Sequence, residues 1–258
     1  MLEFAVEVAR EAGMFLKRSV GGIRAIETKE GQETNLVTEI DKKSEAMIIG
    51  AVKRRYPHHG FLGEETGSTT PTADTIWIID PLDGTTNFTH GLPIFCVSIG
   101  IQEKGGLVAG VVYDPNRDEM FTAQRGRGSY LNGKKIRVSE REKLIKSLLV
   151  TGFPYNVREN PLNAVEHFGA FLKESQAVRR LGSAALDFAY VAAGRFDGFW
   201  EVALHPWDMA AGLLLVEEAG GKVTDFRGFP TTVMGKSIVA TNGRIHEQMI
   251  SILKKNLA

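Results

Sequence analysis

The sequence predicts a mixed α and β chain, antiparallel-rich in its first half and α/β in its second. Two observations carry this. Between residues 94 and 123, apolar runs rich in Val and Ile follow one another with short polar breaks, and Asn132-Gly133 adds a strong two-residue hairpin signal. From about residue 145, short apolar runs alternate with longer helical patterns, as in strand–helix units. The seam falls near 140 to 146 and no flexible linker marks it. The expected division is therefore 1-144 and 145-258, packed as one compact unit.

Taken in order, residues 3 to 20 read as a helix, with Phe4, Val8 and Phe15 on one face and Gly21-Gly22 as its stop. Residues 29 to 34 are polar around Gly31 and read as an exposed, mobile loop. Thr38 is the expected N-cap of a helix that ends near Tyr56, before Pro57. Phe61 to Glu65 is a short strand ending in paired glutamates, and 66 to 75 a Gly/Ser/Thr/Pro loop. Strands are expected at 94–101, 107–113, 119–123, 147–151, 197–202 and 237–241. Helices are expected at 160–174, 183–194, 207–219 and 243–257.

Hydrophobic residues make up 43% and charged residues 24% of the 258, the balance of a soluble globular protein. Lys plus Arg and Asp plus Glu are 31 each, so the net charge is zero. That argues against a broad nucleic-acid or anionic-membrane footprint, and nucleic acid is not an expected partner. Cys96 stands alone, so no intrachain disulfide forms, which fits a reducing, cytoplasmic setting. Acids interrupt the N-terminal apolar pattern, and no run of about 18 uncharged apolar residues occurs. Neither a signal peptide nor a membrane span is expected.

One stretch organises the rest: Trp77-Ile78-Ile79-Asp80-Pro81-Leu82-Asp83-Gly84-Thr85-Thr86-Asn87-Phe88. Its apolar start reads as a buried strand with Asp80 at the C-terminal end. Pro81, lacking an N–H, forbids further ladder pairing, and Gly84 permits a tight turn. Asp80 and Asp83 then point into one small space, where two carboxylates repel unless a cation lies between them. Hard oxygen ligands of this kind suit Mg²⁺ or Mn²⁺. Gly84, Thr85 and Thr86 open a helix whose free N–H groups offer a phosphate seat. The ordinary reading of Asp-Pro and Asp-Gly is a plain turn.

Further acids weigh against that ordinary reading. Glu64 and Glu65 end a strand, and one of two adjacent strand residues faces each side, so a single one of them meets the metals. Asp208 sits in the first turn of a long apolar helix after Pro206; taken alone it is a helix-start acid complementing the dipole. Glu201 ends the apolar segment Phe196 to Trp200.

At this point the residues resemble a family. Asn35 to Asp41, Gly63-Glu64-Glu65, Trp77 to Phe88, and Trp207-Asp208-Met209-Ala210-Ala211-Gly212 through Gly221 are similar, in order, to motifs of the inositol monophosphatase family. Thr86-Asn87-Phe88 distinguishes this branch from related phosphoadenosine and histidinol-phosphate phosphatases. Asn35 departs from the aspartate of many relatives, and Lys29 from the usual spacing of the loop lysine.

The resemblance implies a layered α-β-α-β-α sandwich typical of sugar phosphatases and a Mg²⁺-dependent, lithium-sensitive, homodimeric phosphatase of inositol 1-phosphate and related polyol phosphates. Glu64, Asp80 and the Leu82 carbonyl would hold a first Mg²⁺, and Asp80, Asp83 and Asp208 a second. A weaker third would be held through water with Glu64. Asp41 would accept from the Thr85 hydroxyl, Thr85 would orient the attacking water, and Glu65 would be a supporting acid. Gly84 and Thr85 N–H groups would take the phosphate, and Gly182, Ser183, Ala184 and Glu201 the sugar or inositol hydroxyls. No Cys or His nucleophile is then required, and Cys96 is expected in the core.

Three further features are set aside: His58-His59 as surface residues, Gln124 to Gly128 as a solvated hairpin, and Arg179-Arg180 as either a surface pair or a contact to a second substrate phosphate. Relatives of this kind also leave two other functions open: fructose-1,6-bisphosphatase, and a binding module of RNA or transcription complexes.

Overall fold

The computed structural model describes residues 1–21, 26–29, 32–70 and 72–255. The first half runs α1 (Leu2–Ser19), β1 (Ile26–Lys29), β2 (Gln32–Thr38), α2 (Glu39–Arg55), β3 (Gly60–Gly63), β4 (Gly67–Thr69), β5 (Thr75–Asp83) and α3 (Thr85–Thr89). A meander follows: β6 (Cys96–Glu103), β7 (Gly106–Asp114), β8 (Glu119–Gln124), β9 (Gly128–Leu131) and β10 (Lys134–Ile136). The second half is β11 (Leu148–Thr151), α4 (Ala164–Glu174), β12 (Ala177–Arg179), α5 (Ala184–Ala192), β13 (Gly198–Val202), α6 (Pro206–Glu218), β14 (Lys222–Thr224), β15 (Ser237–Thr241) and α7 (His246–Lys255).

Among the described residues the strands form an eight-stranded sheet, β10-β9-β8-β7-β6-β5-β3-β4, a five-stranded sheet, β12-β11-β13-β15-β14, and the separate pair β1-β2. The larger sheet is antiparallel except for β3 beside β5. The smaller is mixed, with β11 parallel to β12 and β13, and β15 antiparallel to β13 and β14.

Side chains alternate across each strand, so β5 sends Trp77 and Ile79 to one face and Ile78 to the other. Trp77 and Ile79 pack under Ala5, Val8 and Leu16 of α1 and Ile48 and Val52 of α2. Ile78 lies in one core with Leu186 and Phe188 of α5, Ala210 and Leu214 of α6, Phe199 of β13 and Ala240 of β15. The outer face of the smaller sheet buries Trp200 and Val239 against Phe171 of α4 and Met249 of α7. The layers are therefore helix, sheet, helix, sheet, helix, as expected. α6 lies tight on the larger sheet: a Cβ at Gly100 would sit 2.5 Å from Ala210 Cβ, and one at Gly110 would sit 2.9 Å from Ala211 O.

The structure departs from the sequence expectations at short or irregular elements. The loop expected at 66 to 75 contains β4, paired with β3. The loop expected at 29 to 34 falls on the β1–β2 pair, and residues 30 and 31 lie outside the described residues. Pro81 does not end β5: the ladder to β6 skips from Asp80 to Asp83, which pairs with Cys96. Pro81 and Leu82 form a bulge, the place where a missing N–H costs no ladder bond. Asn132 and Gly133 both have positive φ, +48° and +76°, as the hairpin between β9 and β10 requires.

Candidate metal and active site

The bulge in β5 aims two carboxylates at one point, and α6 brings the third. Carboxylate oxygens of Asp80, Asp83 and Asp208 lie within 4.8 Å of one another. Asp80 and Asp208 are set by nearby backbone, and Asp83 by the start of α5. Leu82 N donates to Asp80 Oδ1 at 3.0 Å across the bulge. His205 N donates to Asp208 Oδ2 at 2.6 Å, closing the first turn of α6 after Pro206. Asp83 Oδ2 accepts from Ser183 Oγ at 2.6 Å and Ala185 N at 2.7 Å, so this carboxylate also caps α5. Burial is the main cause that raises all three above the ordinary carboxylate range. Asp80 and Asp208 are further raised by each other's neighbours Glu64 and Asp83, while hydrogen bonds from Ser183 and Ala185 partly oppose burial at Asp83.

Glu64, just past β3, contributes to that crowding, so of the paired glutamates it is the one that bears on the acids. Glu65 N and Thr66 N donate to the Glu45 carboxylate of α2 at 2.8 and 2.9 Å. Glu45 is fully buried, and a Cβ at Gly63 would lie 2.7 Å from it. Sequence reasoning missed Glu45. Its signal was present: Asp41, Ser44, Glu45 and Ile48 share one helical face, where three polar residues stand among apolar ones. Ser44 Oγ donates to Pro81 O at 3.0 Å and fastens α2 to the bulge.

Thr85 Oγ1 lies 3.1 Å from Asp41 Oδ1 and 3.0 Å from Leu82 O, so the expected Asp41–Thr85 contact is present. Gly84 has φ +100°, and a Cβ there would sit 2.8 Å from Ile94 O. Asn87 Nδ2 donates to Ile94 O and Leu181 O, each at 2.8 Å, and so ties α3 to the segment before α5. Ser183, expected at a substrate hydroxyl, directs its own hydroxyl to Asp83.

A cavity of about 290 Å³ opens beside the acids, lined by Asp83, Gly84, Gly182, Ser183, Ala184, Glu201 and Asp208 from the expected set. Tyr155, Arg180 and Asp187 also line it. Of these only Arg180 had been weighed. Tyr155 follows β11 in a loop after a strand end, the position from which it was legible; burial and the nearby Glu64, Asp83 and Asp208 raise its phenol above the usual value. Burial, then Asp208, raises the Glu201 carboxyl, and Arg180 opposes this.

The donor set consists of carboxylates, with no sulfur or imidazole in the three-acid cluster, and fits a hard divalent cation. Cys96 is buried near Asp83, 3.7 Å from Oδ2, and burial pushes its thiol up, away from thiolate chemistry. His59 is not a free surface residue: its Nδ1 accepts from Trp77 Nε1 at 3.0 Å and its ring stacks on Tyr56. The 124–128 hairpin holds the C-terminal end of α6 through Gly126 N and Gly128 N to Glu218. The side chains of Lys29 and Asn35 lie outside the described residues.

The family model described as the inositol monophosphatase family matches residues 1–258. The chain is 45% identical over 262 residues to a Pseudomonas aeruginosa protein named Nus factor SuhB, covering 100% of this chain and 97% of that one. It is 42% identical over 259 residues to a Mesorhizobium japonicum protein named inositol-1-monophosphatase, with the same coverage. The solved structure of a Thermotoga maritima IMPase superposes with a TM-score of 0.91 at 37% identity, covering 99% of this chain and 97% of that one.

Proposed function

Since the chain belongs to the inositol monophosphatase family, we propose that it is a Mg²⁺-dependent phosphomonoesterase acting on inositol 1-phosphate and related polyol phosphates. The observation that carries this reading is the clustering of Asp80, Asp83 and Asp208 within 4.8 Å, beside the Thr85–Asp41 contact, with Asp83 and Asp208 on the wall of a cavity. Glu64, Asp80 and the Leu82 carbonyl hold one Mg²⁺ in this proposal, Asp80, Asp83 and Asp208 a second, and Glu64 a weaker third through water. Bound there, Mg²⁺ supplies positive charge against the phosphoryl oxygens, acidifies water and stabilises the leaving alkoxide.

The chain's own groups do the rest. Where Thr85 Oγ1 donates its proton to Asp41 Oδ1 and not to Leu82 O, its lone pairs are left to accept from the attacking water and orient it. Gly84 N–H and Thr85 N–H receive the phosphate, and Glu65 supports Glu64 through its place on the turn that Glu45 pins. Glu201, Gly182 and Ala184 face the leaving group. The test is phosphate release from inositol 1-phosphate with Mg²⁺ and with EDTA. Turnover that EDTA abolishes is expected; turnover that EDTA leaves intact, or none with Mg²⁺, overturns the reading. Fructose 1,6-bisphosphate in the same assay distinguishes the bisphosphatase alternative.

Sensitivity to Li⁺ belongs to the same proposal and is checked by initial rates in LiCl against NaCl. So does a homodimer. α4 shows solvent an apolar stripe, Val165 and Leu172 at 49% and 52% exposure, which a second copy would cover; sedimentation measures it. Among the described residues no helix is long and apolar enough to cross a membrane, and the lone buried Cys96 supports a cytoplasmic setting.

A second reading, a binding module for RNA or a transcription complex, draws on the relatives named Nus factor. A cleft away from the acids supports it: Arg141, Lys146 and Arg179 converge there with Glu140. A net charge of zero for the whole chain does not speak against such a local surface. Salt-dependent RNA binding that Arg141→Glu with Lys146→Glu weakens at least about tenfold is expected on this reading; its absence removes it.

A further inference from the structure

The leaving-group end of the cavity holds a buried carboxyl that the mechanism above does not use. Asp187, in the first turn of α5, lines the cavity and is 1% exposed. Neither of its carboxyl oxygens has a hydrogen-bond donor among the described residues. Its neighbours in the site differ. Asp80, Asp83 and Asp208 each accept at least one protein N–H. Buried carboxyls are almost always bonded. An unbonded one on a ligand cavity, shielded from bulk water, points to a donor that arrives with the ligand.

The charges on this wall narrow the kind of donor. Burial and then Glu201 raise the Asp187 carboxyl, and Arg180 opposes them; Arg180 opposes the rise at Glu201 too. Among the described residues Arg180 is the one arginine or lysine lining the cavity. Its charge is shared between two buried acids, which leaves little of it for a second phosphate. The space itself is kept open by glycine, because a Cβ at Gly152 would overlap the Glu201 carboxylate. An uncharged, donor-rich group suits such a wall, and an anion does not.

Resting on the phosphomonoesterase reading, we propose that Asp187 is a specificity-determining residue that, beside Glu201, accepts hydrogen bonds from hydroxyls of the leaving alcohol. The cavity then favours polyol monophosphates over plain alkyl phosphates and over bisphosphates. A hydrogen bond to a carboxylate is worth about tenfold to a hundredfold.

The experiment compares kcat/KM for inositol 1-phosphate and cyclohexyl phosphate, which share a ring and differ in their hydroxyls, in wild type and Asp187→Asn with Mg²⁺. Wild type is expected to prefer the polyol ester, and Asp187→Asn to shrink that preference by about tenfold or more. A merely structural role lowers both rates and leaves their ratio alone, so an unchanged ratio overturns the proposal. Should Asp187→Asn fail to fold by circular dichroism, Asp187→Ser is read in the same way. Equal wild-type efficiency on the two esters, or a better rate on fructose 1,6-bisphosphate, also overturns it. Hydrolysis of none of these esters by wild type instead refutes the phosphomonoesterase reading, so the two failures are told apart.

Discussion

On the proposed reading the cavity has a metal end and a leaving-group end, both acidic and yet built differently. At the metal end each carboxylate leaves a rigid strand or helix terminus and is held by backbone N–H groups: Leu82 on Asp80, Ala185 on Asp83, His205 on Asp208. At the leaving-group end Asp187 has no donor among the described residues, and Glu201 faces Gly152 and Arg180. Fixed dipoles preorganise a site for one small ion of constant geometry. A wall with unmet acceptors leaves its hydrogen bonds to be completed by a larger ligand. Within the metal end a second contrast appears, since Asp83 also caps α5, whereas Asp208 bonds its own helix turn through His205 N and, through its side chain, Asp80.

The largest effect expected at the metal end comes from Asp208→Asn. It should lower kcat by about 10³-fold, the scale of losing a principal electrostatic group. Removing a half-buried charge that repels Asp83 and Glu64 should leave the metal-free melting temperature at or above that of wild type. Near wild-type turnover at saturating Mg²⁺ breaks the assignment of Asp208 to the metal end.

Asp83→Ala should lose activity comparably and also cost about 1–3 kcal/mol of stability, because Ser183 Oγ and Ala185 N lose their acceptor. Urea titration of both variants checks the contrast; equal stabilities would erase the distinction between a ligand and a ligand that is also a cap.

Thr85→Ala should cost about 10²-fold in kcat. Thr85 and Asp41 act as a unit, so Asp41→Asn and the double variant should lose about as much as either alone. Additive losses would separate the two residues.

The smallest effect is in pH. Asp80, Asp83, Asp208, Asp187 and Glu201 all have folded-state values raised above the ordinary carboxylate range. The folded state then binds more protons than the unfolded one, so stability falls as pH rises from about 4 through the raised values. Thermal melts in EDTA should show this decline. With Mg²⁺ the metal end should cease to contribute, leaving the weaker slope of Asp187 and Glu201. A metal-free melting temperature that rises over this window would contradict the sign.

Legibility in the sequence followed local chemistry. Asp80, Asp83 and Gly84 sit within five residues of one strand end, so their spacing and turn chemistry were readable; Asp208, alone a plain helix-start acid, joined them only through the family resemblance. The long apolar helices and the Asn132-Gly133 hairpin were equally plain. Three-residue strands such as β4, β12 and β14 were not, because a ladder that short is decided by its neighbours and not by its own propensity.

The sequence by itself determined that Asp80 and Asp83 leave one strand end together, that Pro81 breaks the regular ladder, and which helices are apolar enough to be buried. Tertiary structure alone decided that Asp208 meets Asp80 and Asp83 across more than a hundred residues, that Glu45 clamps the turn after β3, and that Asp187 faces a cavity with no partner among the described residues. Those outcomes rest on long-range packing. α6 can reach β5 only because Gly100 and Gly110 let its backbone settle on the sheet, and a buried acid becomes informative only once the fold shows what does or does not lie beside it.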